Sequence, residues 1–224
     1  MNYLSHYYFD RSTVCPTIVV GTVLPDLLRN ADSLVKIRPQ QHLDCLLRTA
    51  SSHDIYTGWN RHLAVDRIFH NSTYFFTHTK ALKGLLSAVL ADLPIRPSFF
   101  AHIALELLLD YQLITKQEVS IDGFYKQLQA VPETALIDFF ACCDYAADRV
   151  FIPYYHKFVG WLYIYDYQDL TKIARMLLSI CKRLWKFDYT EEKVLAIAAL
   201  LSQYAQEEME DYSLIYQEIE AQLV

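Results

Sequence analysis

The fold class is indicated first by the sequence Ala101-His102-Ile103-Ala104-Leu105-Glu106-Leu107-Leu108-Leu109-Asp110, in which ionisable residues recur at every fourth position. Four residues turn an α-helix by about 400°, so His102, Glu106 and Asp110 lie above one another with about 40° of drift per step. The other residues of this segment are apolar. The pattern predicts a buried or cleft-facing helix that carries a row of ionisable side chains.

A second row with the same spacing consists of His62, Asp66 and His70. Ionisable groups are expensive to bury unless they are paired or bind a metal ion. The two rows could hold one divalent ion between their helices, and we predict His62 and Asp66 as ligands. The alternative is a structural i,i+4 pair on a helix surface. Because His70 drifts a further 40° from His62, it stays outside the predicted ligand set.

Three acidic residues complete the predicted metal site. Glu106 and Asp110 have apolar neighbours, and two carboxylates in such a helix raise each other's pKa unless a cation lies between them. Asp26 follows Leu24 and Pro25 in an otherwise apolar strip and is predicted as the fifth ligand. Mixed imidazole and carboxylate ligands suit Mn²⁺, Fe or Mg²⁺ better than a structural zinc.

Two histidines are predicted to take part in catalysis. His102 lies one turn before Glu106, and His6 is surrounded by aromatic residues near the start of the chain. The unperturbed pKa of histidine lies close to neutral pH, so either side chain could transfer protons during hydrolysis. A structural hydrogen bond is the alternative for His6, and a metal-ligand role is the alternative for His102.

The composition indicates an all-α chain. Apolar residues make up 53% of its 224 residues, and only 5 glycines and 7 prolines are available for turns. Stretches rich in Leu, Ala, Ile, Glu and Lys favour helices. Because no repeat or Gly/Ser-rich linker divides the chain, we predict a single multi-helix domain over residues 1–224. The predicted helices cover about 2–9, 15–29 with an interruption at Pro25, 40–50, 57–72, 75–92, 98–117, 121–130, 133–151, 154–165, 168–186 and 190–222.

Charge and cysteine content exclude several classes of protein. A net charge of −6 argues against nucleic-acid binding, which needs a basic excess. The five cysteines are odd in number and lack CxxC spacing, so we expect neither a disulfide framework nor a thiolate zinc site, and Cys142 and Cys143 are expected to be reduced. The sequence contains no signal-peptide pattern and no apolar run long enough for a membrane span. We therefore expect a cytoplasmic protein without a membrane segment.

A basic stripe is predicted on the helix at about 168–186. Its residues fall within an arc of about 100°, opposite an apolar face. They are Lys172, Arg175, Lys182, Arg183 and Lys186. The stripe could dock an acidic partner, and the alternative is an ordinary solvated face.

Several short motifs resemble the acyl carrier protein phosphodiesterase family. The start Met1-Asn2-Tyr3-Leu4-Ser5-His6 is similar to the family's MNFLAH, and Gly21-Thr22-Val23-Leu24-Pro25-Asp26 is similar to its G-N-L-L-A-D. The segment Gly58–Asp66 resembles G-x-H-x-H-R-x-x-D, with Asn60 and Leu63 in place of a histidine and the arginine. Glu106 and Asp110 match a carboxylate pair, and Trp161–Tyr165 resembles part of the family's C-terminal helices.

The resemblance implies an all-helical fold related to HD-type metal-dependent phosphohydrolases. It implies hydrolysis of a phosphodiester in holo-acyl carrier protein, releasing 4′-phosphopantetheine with the help of Mn²⁺ or Mg²⁺. Matched by position, Asp26, His62, Asp66, Glu106 and Asp110 would form the metal site. The alternatives are hydrolysis of a nucleotide or another small phosphoester, and a non-catalytic helical binding protein that keeps the fold.

Overall fold

The protein is all-α in its computed structural model, which describes residues 1–223 and contains no strand in that range. The predicted fold class is therefore confirmed. Val224, the last residue of the predicted domain, lies outside the described residues. The α-helices are α1 (Tyr3–Tyr8), α2 (Pro16–Ala31), α3 (Leu43–Leu46), α4 (Ala50–Asn71), α5 (Thr73–Ser87), α6 (Pro97–Thr115), α7 (Ile121–Gln129), α8 (Glu133–Cys142), α9 (Phe151–Trp161), α10 (Leu170–Trp185), α11 (Glu191–Glu207) and α12 (Ser213–Gln222).

The chain divides into two compact units, each assembled from separated segments. Unit 1 consists of Met1–Ser5, Arg67–Glu118 and the chain from Ile164 onward, and unit 2 consists of His6–Asp66 and Val119–Tyr163. In unit 1, α6 packs with α5, α10 and α11. In unit 2, α2 packs with α7 and α9, and α3 packs with α8. Two of the four boundaries between the units fall inside α1 and α4. The single-domain expectation stays a prediction.

Unit 1 is built around α6. Pro97 occupies the first turn of this helix, where a missing N–H costs nothing. Apolar side chains then cover most of its circumference, and Phe100, Leu105 and Leu108 are completely buried. A helix that is apolar on almost all sides must be surrounded by other helices. Asp110 is also completely buried within this apolar helix.

Unit 2 depends on a close approach between α2 and α4. A methyl group on Gly58 would overlap the carbonyl oxygen of Ile18 and would lie 2.8 Å from the Cα atom of Gly21. A methyl group on Gly21 would overlap the carbonyl oxygen of Ile55. Only glycine allows two helix backbones to lie this close. The contact brings the last turns of α2 beside the part of α4 that carries His62.

Several helix boundaries differ from the prediction: the segment predicted as a helix at 40–50 contains only the short α3, and α4 begins at Ala50 rather than at about 57. α2 continues through Pro25, because its buried face, which includes Leu24 and Leu27, holds the helix together on both sides of the proline. The predicted helix at 133–151 stops at Cys142, and Asp144 adopts a left-handed conformation with φ of 57°. The last predicted helix is divided into α11 and α12.

A disulfide bond joins Cys45 to Cys142 in unit 2, so the expectation that Cys142 is reduced was wrong. The two residues are 97 positions apart, and their Cα atoms lie 5.6 Å apart, within the range that a disulfide needs. Sequence spacing reveals CxxC pairs but not partners that only folding brings together. Cys15, Cys143 and Cys181 are free thiols.

No helix within residues 1–223 combines the length and the apolar character that a membrane crossing requires.

Candidate metal centre

Unit 2 brings His6, His62 and Asp66 together in a group that could hold a metal ion. The Nε2 atom of His6 lies 3.3 Å from Oδ1 of Asp66, and the Nε2 atom of His62 lies 3.5 Å from Oδ2 of the same carboxylate. The two imidazole rings are stacked, with centroids 3.8 Å apart. The carboxylate of Asp66 thus faces both histidines, and all three side chains offer an atom to a common point.

The tautomer of His62 is fixed by a hydrogen bond to α2. Its Nδ1 atom lies 2.8 Å from the carbonyl oxygen of Thr22, which can only accept, so Nδ1 carries the proton. In neutral His62 the lone pair is therefore on Nε2, the atom that faces Asp66. This is how metal-binding histidines are usually oriented.

His6 is buried in an arrangement that leaves its polar atoms without hydrogen bonds. Its side chain has no solvent exposure, and neither Nδ1 nor Nε2 makes a hydrogen bond within the described protein. Burial, together with the neighbouring His62, lowers the pKa of His6 to about 3. The imidazole is therefore neutral at pH 7, which suits a metal ligand better than the proton-transfer role expected from the sequence. A cation between Nε2 and the carboxylate of Asp66 would give this buried nitrogen a bonding partner.

Two carboxylates face solvent at this group. Burial opposes ionisation of Asp66, but the donor and positive groups around the carboxylate, with His6 first among them, together keep its pKa below the usual range. Asp26 lies farther away, with Oδ1 4.0 Å from Nε2 of His62. Both side chains are about one-third exposed, whereas the two histidines are enclosed. The group therefore has a closed imidazole side and an open carboxylate side, and Asp26 is close enough to serve as a fourth ligand after a small movement.

Unit 1 contains a second group, made of His70, His102 and Glu106. The Nε2 atom of His102 lies 3.0 Å from Oε1 of Glu106 and 3.1 Å from Nε2 of His70. The sequence placed His102 in catalysis and Glu106 in the metal site, but it left His70 out. The signal that could have included His70 was its place in the four-residue row with His62 and Asp66.

Asp110 belongs to neither group, because its carboxylate is used by the chain start. Oδ1 accepts hydrogen bonds from the backbone N–H (2.7 Å) and the hydroxyl (2.6 Å) of Ser5, and Oδ2 accepts from the backbone N–H of Leu4 (3.0 Å) and the side chain of Asn2 (2.9 Å). Free N–H groups at a helix start need such an acceptor. Asp110 therefore caps the first turn of α1. Burial raises the pKa of this carboxyl to about 7 despite these donors.

Leu63 on α4 replaces the arginine of the family pattern, a residue type that binds phosphate in a bidentate fork. The side chain of Leu63 is half exposed. The neighbouring Arg61 forms an ion pair with the buried carboxylate of Asp10. A phosphate would have to compete with Asp10 for this guanidinium.

The basic stripe on α10 is exposed, but acidic neighbours pair with three of its five cations. Lys172 Nζ lies 2.6 Å from Asp166, and Lys182 Nζ lies 2.6 Å from Asp188. Arg175 makes two hydrogen bonds of 2.7 Å with the carboxylate of Glu191. Arg183 is exposed in the last turn of α10, and Lys186 is exposed one residue beyond the helix, where it adopts a left-handed conformation. The net field of the stripe is weaker than the sequence of α10 alone indicates.

Comparisons of the chain with protein family models, with curated proteins and with solved structures found no match.

Proposed function

We propose that the protein is a divalent-metal-dependent phosphoester hydrolase whose ion is held by His6, His62 and Asp66, with Asp26 as a further ligand. The observation that carries this proposal is the buried imidazole of His6, whose Nε2 atom lies 3.3 Å from the carboxylate of Asp66 without a well-directed hydrogen bond, beside the second, oriented imidazole of His62. Burying such a set of groups is costly unless a cation completes it.

The donor set fits a hydrolytic metal ion. Two imidazoles with one or two carboxylates are typical of Mn²⁺, Fe and catalytic Zn²⁺ sites, whereas Mg²⁺ prefers oxygen ligands alone. When bound, such an ion would polarise a phosphoryl oxygen and lower the pKa of an adjacent water molecule. Thr22 holds His62 in the tautomer that binds metal, and the exposed side at Asp26 and Asp66 gives solvent and substrate access.

The substrate class rests on the resemblance to acyl carrier protein phosphodiesterases, which implies holo-acyl carrier protein and release of 4′-phosphopantetheine. The exposed stripe on α10 would be the docking surface for such an acidic partner. Because Asp166, Asp188 and Glu191 already pair with three of its cations, an acidic partner must displace them. Arg183 and Lys186 are therefore expected to contribute more to docking than Lys182.

The test combines metal content with turnover. Purified protein is analysed for bound metal, then assayed with Mn²⁺ on bis(p-nitrophenyl) phosphate, on holo-acyl carrier protein and on a nucleotide panel. We expect His62→Gln and Asp66→Asn to lose both the ion and hydrolysis. His53→Gln is the matched control, because His53 is an exposed histidine on the same helix.

Each outcome separates the alternatives. Turnover of holo-acyl carrier protein, but not of nucleotides, supports the carrier-protein substrate, and the reverse supports a small phosphoester. A protein that keeps its full metal content after His62→Gln and Asp66→Asn does not use this site. A protein that binds the ion but hydrolyses none of the substrates is a binding protein, and the hydrolase proposal is then wrong.

A further inference from the structure

The group in unit 1 has the geometry of a metal site in its own right. Three pairs of ligand atoms can be compared: His102 with Glu106 (3.0 Å), His70 with His102 (3.1 Å) and His70 with Glu106 (3.4 Å). Ligands about 2.1 Å from one ion are about 3.0 Å apart at right angles and about 3.4 Å apart in a tetrahedron. All three distances fall in this range, so the three atoms can bind one ion with almost no rearrangement.

The charges in this group also favour a cation. The carboxylate of Glu106 faces both imidazoles, and its Oε1 atom also lies 3.2 Å from the amino group of Met1. The two Nε2 atoms lie only 3.1 Å apart, so a proton on each nitrogen would bring two N–H groups into conflict. An ion at the centre of the group would satisfy all three ligand atoms at once.

Aromatic rings hold the two imidazoles in place. The ring of Phe75 packs edge-on against His70 and His102, with centroids 5.0 Å away in both cases, and Phe69 packs against the other side of His70. Edge-to-face contacts of this kind restrict ring rotation. The ligands are therefore oriented before any ion arrives, which reduces the entropy cost of binding.

The group is open to solvent on one side. About a third of each histidine side chain is exposed, and His102 also lines a surface pocket of about 590 Å³. The other walls of this pocket include Arg96, Phe99 and Trp185. Because the protein supplies three ligands, an ion here would keep at least one open coordination position, as exchangeable and catalytic ions do.

We propose that His70, His102 and Glu106 form a second divalent transition-metal site, separate from the one at His6, His62 and Asp66. Two imidazoles and one carboxylate select Zn²⁺, Co²⁺, Mn²⁺ or Fe²⁺ over Ca²⁺ and Mg²⁺, which prefer oxygen ligands. This inference does not depend on the hydrolase activity proposed above, because it concerns residues that the proposed catalytic ion does not use.

The test counts ions in the full chain after chelation and reloading with Co²⁺, whose visible absorption reports its ligands, with total metal measured in parallel. The proposal predicts two bound Co²⁺ ions in the unaltered protein and one in His102→Gln and in the double variant His70→Gln/His102→Gln. His62→Gln should also bind one. His53→Gln, the exposed control, should bind two. Glu106→Gln keeps the side-chain shape and should lose the same ion if a histidine variant folds poorly.

The possible results separate the two sites. If His102→Gln and Glu106→Gln bind as many ions as the unaltered protein, His70, His102 and Glu106 form only a hydrogen-bonded cluster, and the second site is refuted. One ion that disappears in His102→Gln but persists in His62→Gln supports this inference and removes the proposed catalytic site. One ion that is lost from both variants indicates a single shared site and overturns the proposal of a separate second site.

Discussion

Replacing Asp110 with alanine should destabilise the metal-free protein. The substitution removes the acceptor from the backbone N–H groups of Leu4 and Ser5, which are buried at the start of α1. Leaving a buried donor unpaired costs about 1–3 kcal/mol, so the two groups together cost about 2–6 kcal/mol. We expect the lower half of this range, because water can enter the space that the side chain leaves.

The assay is urea unfolding followed by far-UV circular dichroism, in the presence of a chelator so that metal binding does not contribute. Asp92→Ala is the matched control: its exposed carboxylate forms a 2.6 Å ion pair with Lys193, and such surface pairs contribute about 0–1 kcal/mol. The reasoning is refuted if Asp110→Ala is as stable as the unaltered protein, or more stable. Higher stability is what relief of repulsion between metal-site carboxylates would produce, as expected from the sequence alone.

Three further predictions concern stability. The pKa of Asp110 is raised to about 7 in the folded protein and is about 3.9 when unfolded. The native state therefore binds more protons, and the free energy of unfolding should fall as pH rises from about 4 to 7. Urea unfolding at pH 5 and pH 8 should show a smaller change for Asp110→Asn than for the unaltered protein. Gly58→Ala forces a methyl group into the backbone of α2 and should lower the free energy of unfolding by about 1–3 kcal/mol or more. Gly160→Ala is the control and should not destabilise the protein, because no neighbouring atom lies within 4 Å of the added methyl group. Equal urea midpoints for the two variants would contradict the close contact. Cys45→Ser should lower the free energy of unfolding by up to about 4 kcal/mol, because the disulfide closes a loop across 97 positions. Thiol counting in the unfolded, unreduced protein should find three free thiols, and a count of five would disprove the bond.

The sequence predicted the helical class and the contacts within single helices. His62 with Asp66 and His102 with Glu106 were expected to meet from their four-residue spacing, and both pairs are in contact. Helical periodicity fixes these distances whatever the tertiary structure. The spacing also placed Asp110 on the same side as Glu106, and this residue is indeed buried.

Contacts between distant segments could not be predicted in the same way. Periodicity showed that Asp110 needed a partner, but backbone N–H groups at Leu4 and Ser5 are invisible in a pattern of side chains. The role of Thr22 was hidden for the same reason, because it contributes a carbonyl oxygen. The cysteine count likewise could not show that Cys45 and Cys142 meet.

The bond between Cys45 and Cys142 turns a large part of the chain into a covalent ring. Every residue from 46 to 141 lies within it, including α4, α5 and α6. A protease that cuts one peptide bond within this ring opens it without separating the two fragments, which stay linked until a reductant cleaves the sulfur bridge. Damage to these helices would therefore leave the mass of the chain almost unchanged on a non-reducing gel, and two bands would appear only after reduction.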